Sequence, residues 1–290
     1  MQLKEQITHA QTLLTRVQMP ILPESVLKLQ TLFNREDLPD TQDIKAIVST
    51  NPFLAGELIG IANLLSRSNL TLQKVKDIDG AILRLGTMQI KNYVLSITVK
   101  NILNATKLKQ LGEHSEAIAI VAAEIALFCK NIRTDEAYLL GLMHEIGAFA
   151  LCEYDAQYSQ ALEQSLNTLD LIHHTTLDET EIARYSTTYP TLGYVIAHTW
   201  NIPSYIAQAI LLQQTPDVSK VKNTEVRSAV ALLTLAHQLL NLTSLSHLPD
   251  LATDKIMQRQ RAHPIVQRCQ MILGLSDNEI ERLKTRLFQY

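Results

Sequence analysis

Apolar positions recur three and four residues apart from one end of this chain to the other, and no convincing alternating run marks a strand. Leu3, Ile7, Ala10, Leu14 and Val17 share one face, predicting an amphipathic helix over 3–18. In MPILP, Pro23 suits a first helical position and opens a helix through Phe33. Asp40 or Thr41 can cap a short helix ending near Ser49, and Asn51-Pro52 starts another that runs to about Leu65. After a polar loop over 66–76, Asp77 caps a helix stopped by Gly86, and Thr87 caps a longer one to about Asn104. A polar link over 105–116 leads into an apolar helix from about Ser115 to Phe128. Further helical patterns follow a loop carrying His173-His174, with the longest over 222–242, and Ser276 with Glu279 forms a capping box for the last helix. The expected fold class is all-α.

The most apolar stretch is Glu136 to Ala150, EAYLLGLMHEIGAFA, yet it carries an imidazole and a carboxylate side by side at His144 and Glu145. A charge in such a segment is costly unless it is paired or bound to a metal. Thr134 is expected to cap this helix, with Asp135 and Glu136 in the dipole-favoured first turn, and the helix is expected to bend or end near Gly147. Composition narrows the picture. With 290 residues, 46% apolar and 19% charged, the chain can bury a substantial core. A net charge of -3 lacks the surplus of Lys and Arg that nucleic-acid binding needs. The N-terminal MQLKEQITHAQ has no apolar signal core, and no apolar run approaches the roughly 18 residues of a membrane span. Cys129, Cys152 and Cys269 are far apart without CxxC spacing, so buried, reduced thiols in a cytoplasmic protein are expected.

Three pieces of the first third follow a recognisable order: ILPESVLKLQTL, then IVSTNPFLAGELIGIANLLSRS, then VKDIDGAILRLGTMQIKNYVL. Asn51-Pro52, Ala62-Asn63, Ala81-Ile82 and Leu85-Gly86 match in order and rough spacing. The chain here resembles the HD-related output domain (HDOD) family, a divergent branch of the HD and HD-GYP metal-dependent phosphohydrolases. The resemblance implies one HDOD-like protein over 1–290. Its parts would be an N-terminal helical lobe over 1–106, a degenerate HD-like lobe over 107–242 that shares its core, and C-terminal helices over 243–290.

A second resemblance, to the wider HD superfamily, covers 113–237. There an early His, a His-Asp pair and a late Asp hold one or two divalent metals that generate hydroxide and clamp phosphoryl oxygens. His114 matches the early His and His144 the His of the pair, while Glu145 stands for Asp and His237 falls about where the late Asp belongs. Tyr189-Pro190 replaces a His-Pro segment, and Gln213-Gln214 replaces a His-His pair. Neutral amides and a phenol are poor ligands, which argues against a two-metal site. A single Fe, Mn or Zn held by His114, His144, Glu145 and His237 is chemically feasible, since two imidazoles and a carboxylate suit non-haem iron and His237 completes a tetrahedron.

The same residues have plainer roles: His144 as a core histidine bonded to a carbonyl, His114 as a partly exposed imidazole near a helix start, and Trp200 as a core anchor. The expectation is therefore a non-catalytic bacterial signal-transduction domain with a vestigial metal site, no required cofactor, a protein partner, and scope to form homo-oligomers. The alternatives are a metal-dependent phosphohydrolase acting on a nucleotide or cyclic dinucleotide, or a pseudo-enzyme that holds a nucleotide without cleaving it.

Overall fold

Capping chemistry sets several helix starts in the computed structural model, which describes residues 2–17, 19–35, 37–65, 73–104, 109–167, 175–246 and 264–287. Every regular element among them is helical. The side chain of Asp40 accepts from the Gln42 N–H at 3.0 Å, opening α3 (Thr41–Ser49). Asn51 accepts from Leu54 N–H at 3.2 Å to open α4 (Pro52–Leu64), and Asp77 accepts from Gly80 N–H at 2.7 Å to open α5 (Ile78–Leu85). Each side chain satisfies a donor that the first helical turn leaves without a partner. Gly86, at φ +89°, ends α5 in a conformation that suits glycine.

The chain divides into two compact units, Pro20–Ile102 and Met1–Met19 with Leu103–Tyr290. The smaller unit contains α2 (Glu24–Phe33), α3, α4, α5 and most of α6 (Ile90–Asn104). Leu29, Ile44, Val48, Leu58, Ala62 and Ile82 make its core. Asn63, from the Ala-Asn motif, works as a backbone clip. Its amide donates to the Val75 carbonyl at 2.9 Å, and its oxygen accepts from the Val75 N–H at 2.8 Å.

The larger unit holds α1 (Leu3–Leu14), α7 (Lys109–Ala126), α8 (Thr134–Met143), α9 (Ile146–Tyr154), α10 (Ala156–Asn167), α11 (Thr175–Tyr185), α12 (Tyr189–Thr199), α13 (Ser204–Leu212), α14 (Thr224–Ser246), α15 (Pro264–Leu273) and α16 (Asp277–Leu287). Helix α7 packs against α8 and α14, and α12 packs against α9, α13 and α1. Two glycines set the closest approaches. A Cβ on Gly141 would lie 2.4 Å from the Ala119 Cα, so only glycine lets α8 lie this close to α7. A Cβ on Gly147 would lie on the Tyr189 carbonyl oxygen, so glycine also sets the contact of α9 with α12. The C-terminal helices dock on the same unit through Arg286 Nε to Glu124 at 2.7 Å and Arg268 to Asp217 at 2.8 Å.

Several boundaries differ from expectation. Helix α7 begins at Lys109, inside the expected polar link, because Leu111 and Gly112 are buried and carry its apolar face back by a turn. A 3₁₀ turn at Thr87–Gln89 precedes α6, which starts at Ile90. Pro23 and Thr134 each sit one place from their expected positions, with Pro23 at the cap of α2 and Thr134 as the first residue of α8 after Arg133. The expected break near Gly147 is present and falls at His144-Glu145, while Gly147 itself serves close packing. The Ser276–Glu279 capping box forms, with Glu279 N–H donating to Ser276 Oγ at 3.3 Å and Ser276 N–H to Glu279 Oε2 at 2.7 Å. The expected His173-His174 loop lies outside the described residues. Among the described residues no helix is long and apolar enough to cross a membrane.

Candidate metal centre

Three imidazoles converge inside the larger unit. His114 comes from the second turn of α7, His144 from the end of α8, and His237 from the middle of α14. Ring centroids lie 5.4 Å apart for His114–His144, 5.4 Å for His114–His237 and 4.9 Å for His144–His237. One nitrogen from each ring falls within 4.8 Å of the other two. His144 is fully buried, and the other two are half-buried.

Two of the tautomers follow from backbone contacts. His144 Nδ1 is 2.6 Å from the Gly141 carbonyl, and His237 Nδ1 is 2.8 Å from the Leu233 carbonyl. A carbonyl oxygen only accepts, so each Nδ1 carries the proton and each neutral ring keeps its lone pair on Nε2. The expectation of a carbonyl-bonded core histidine at 144 is met, and a bond of this kind also suits a metal-ligating ring.

Glu145 follows His144 at the α8–α9 junction, with Oε1 3.5 Å from His144 Nε2. Burial pushes its carboxyl up to about 8, and the nearby charge of Glu181 pushes in the same direction. Glu181, on α11, is a residue that sequence reasoning missed. It is 1% exposed, accepts from the Tyr158 hydroxyl at 2.6 Å, and accepts from the Tyr189 N–H at 2.8 Å at the start of α12. Nothing in LDETEIARYS separates this buried carboxylate from its solvated neighbours.

The remaining positions matched to superfamily ligands are tied up elsewhere. The Gln214 amide donates to the Tyr189 hydroxyl at 3.2 Å, and the Gln213 amide donates to the backbone carbonyl of His144 at 2.8 Å. These residues form neutral hydrogen-bonded ties between α12, α13 and the α8 end. The donor set therefore fits one metal on His114, His144 and His237, with Glu145 beside it, and does not fit a pair. Such a metal would act as a Lewis acid towards a bound oxygen. The chain's own part would be to bring three imidazoles together and hold the Glu145 carboxyl beside them.

The cysteines are free, with Cys269 buried and Cys129 and Cys152 half-buried, and burial pushes all three thiols up to about 12, away from thiolate chemistry.

Comparison with known proteins fits this architecture. A solved HDOD domain protein of unknown function from Geobacter sulfurreducens shares 18% identity and a TM-score of 0.67, with 99% of this chain and 98% of that one covered. A protein described as a candidate phosphohydrolase from Shewanella amazonensis shares 19% identity and a TM-score of 0.65, with 96% and 93% covered. A candidate signal transduction protein from Marinobacter aquaeolei shares 16% identity and a TM-score of 0.67, and this chain spans 63% of its length. Likeness at these identities is one of fold. No curated protein matches the sequence. The model of the HDOD domain family matches residues 19–216, more than half of the sequence, and the chain belongs to that family.

Proposed function

We propose that this chain is a non-catalytic regulatory domain of a bacterial, cytoplasmic signalling pathway that acts by contacting a protein partner. The observation that carries the reading is the fate of Tyr189, Gln213 and Gln214. A hydrolytic two-metal site needs ligands there, and instead Gln214 donates to the Tyr189 hydroxyl and Gln213 to the His144 carbonyl. A single metal on the triad would have no second cation to clamp the opposite phosphoryl oxygen. Exposed apolar side chains on the smaller unit, among them Ile21, Leu38, Phe53 and Leu83, fit a surface that meets other proteins.

The test is hydrolysis of bis(p-nitrophenyl) phosphate and of cyclic dinucleotides by the full chain supplied with Mn(II), Fe(II) or Zn(II). No turnover above the metal blank is expected. Turnover that disappears in His144→Ala would replace this reading with that of a phosphohydrolase.

A further inference from the structure

We infer that the C-terminal end of α7 is a docking pad for an arginine-bearing amphipathic helix of another protein, and that α16 is its hinged, displaceable cover. The inference rests on the signalling reading and names the chemistry of the partner.

The pad is built from a carboxylate and an aromatic ring four residues apart. Glu124, on α7, is fully buried, and Phe128, just past the helix end, is half-buried. Helix α16 brings Arg282 and Arg286, four residues apart and so on one face. Arg286 Nε donates to Glu124 Oε2 at 2.7 Å. The guanidinium carbons of Arg282 and Arg286 stand 5.4 and 5.9 Å from the centre of the Phe128 ring, inside the ~6 Å range of cation–π attraction. At the other end, Glu279 is within electrostatic reach of Cys129 and Lys130. Residue numbers thus fall along α7 as they rise along α16, and the two helices run antiparallel.

Selectivity follows from the buried carboxylate. An ionised carboxylate in such a position needs a hydrogen-bonded counter-charge. Arginine supplies it and stacks on the ring at the same time, a pairing that the compact lysine ammonium does not reproduce. Ile280, Leu283 and Leu287 add a buried apolar stripe, while Lys284 keeps its amine on Glu281 at 3.1 Å. The element recognised is therefore an apolar stripe flanked by two arginines four residues apart.

Displacement follows from how little holds α16. It spans 11 residues, below the ~12–15 at which an isolated helix is even marginal, so it depends on what it touches. Its main contacts are with α7 and α14. At its base only Gly274 and Leu275 separate α15 from the Ser276 cap. Gly274 sits at φ +70°, with open space where a Cβ would stand. Such a turn is a hinge on which α16 can swing while α15 stays packed on α14. Because α16 is tethered, it acts at high effective concentration and masks the pad from a free helix.

The experiment uses the full chain and a fluorescein-labelled peptide of residues 274–287, GLSDNEIERLKTRL, followed by fluorescence anisotropy. The wild-type chain is expected to bind it weakly, and the Arg286→Ala chain, with its own cover loosened, at least ~10-fold more tightly. An Arg286→Lys chain, a milder lesion, should gain less. A peptide carrying Arg282→Glu and Arg286→Glu should not bind. Adding Glu124→Gln to the Arg286→Ala chain should abolish the gain. Phe128→Ala, at a half-buried position, should weaken binding as well and decides the matter if Glu124→Gln misfolds. No saturable binding to either Arg286 variant, binding no tighter than to the wild type, or binding indifferent to the pad substitutions would overturn the pad. Wild-type dimers in sedimentation that vanish in Arg286→Ala would assign the pad to a second copy and overturn the foreign partner. Hydrolytic turnover would sink the signalling reading and leave peptide binding unchanged, so the two failures are distinguishable.

Discussion

Replacing Gly141 by alanine sets two known effects against each other. In an ordinary exposed helix, Gly→Ala gains ~1 kcal/mol because alanine loses less backbone entropy. At Gly141 the added Cβ would sit 2.4 Å from the Ala119 Cα and 2.6 Å from the Ala119 N, where carbon contacts rest at ~3.5–4.0 Å. Both partners are backbone atoms, so no side-chain rotation relieves the clash, and α7 and α8 must part by ~1 Å. Overpacking of this kind costs ~1–3 kcal/mol, and with backbone on both sides the upper end applies, for a net loss of ~2 kcal/mol. Urea unfolding followed by the fluorescence of Trp200 reads this directly, because it is the only tryptophan and is buried in the same unit. Gly60 in α4 is the contrast. Nothing lies within 4 Å of its added Cβ, so Gly60→Ala should gain up to ~1 kcal/mol by circular dichroism. A Gly141→Ala variant as stable as the wild type would refute the close-approach argument.

Other substitutions test separate links. Asn63→Ala removes both bonds to Val75 and leaves a backbone N–H and C=O poorly satisfied, a loss of ~2–3 kcal/mol in urea melts; an unchanged midpoint would show that the clip is idle. For Glu145 the raised carboxyl sets the sign. Below 4.5 both folded and unfolded states are protonated, and between 4.5 and about 8 the unfolded chain ionises while the folded one keeps its proton. Stability of the metal-free protein therefore falls as pH rises through that window, by up to about 1.4 kcal/mol per unit, and levels off above it. Glu145→Gln has no such charge to bury, so its advantage over wild type should be nil at the acid end and largest at the alkaline end; a pH-independent difference would exclude the cause given. Arg286→Ala takes a guanidinium from Glu124, which is fully buried. Loss of that charged bond should cost ~2–3 kcal/mol and speed proteolytic release of α16, and an unaltered digestion pattern would count against the latch.

Much of the fold was legible because it depends on local chemistry. Asp40, Asn51, Asp77 and Ser276 cap helices for reasons contained within four residues, and each does so in the structure. Gly86 and the long late helix were legible for the same reason. Boundaries failed where tertiary burial overruled local polarity. ATKLKQLGEHSE reads as a link, yet buried Leu111 and Gly112 pull Lys109 to His114 into α7, which moves His114 from a helix start into its second turn. At the site, family resemblance singled out His114, His144 and His237 from chain positions alone, and the structure brings their rings together. What no local pattern could supply was Glu181, whose partners are 8 and 23 residues away, or the use of Gly141 and Gly147 as contact points.

Those glycines also carry packing that is independent of the polar side chains around the cluster. Gly141 sets the approach of α8 to α7, which brings His144 to His114, and Gly147 sets the approach of α9 to α12, which fixes Tyr189. Both contacts are made by backbone and by a missing side chain, so they hold whichever residue stands at 189, 213 or 214. A buried or half-buried polar side chain at such a position must still find hydrogen bonds. Gln214 donates to the Tyr189 hydroxyl, and Gln213 donates to a carbonyl at the α8–α9 break. The packing therefore does not depend on the side chains at these three positions, and a match of fold says little about chemistry. The groups present at the site decide it, and here those are three imidazoles with one carboxyl beside them.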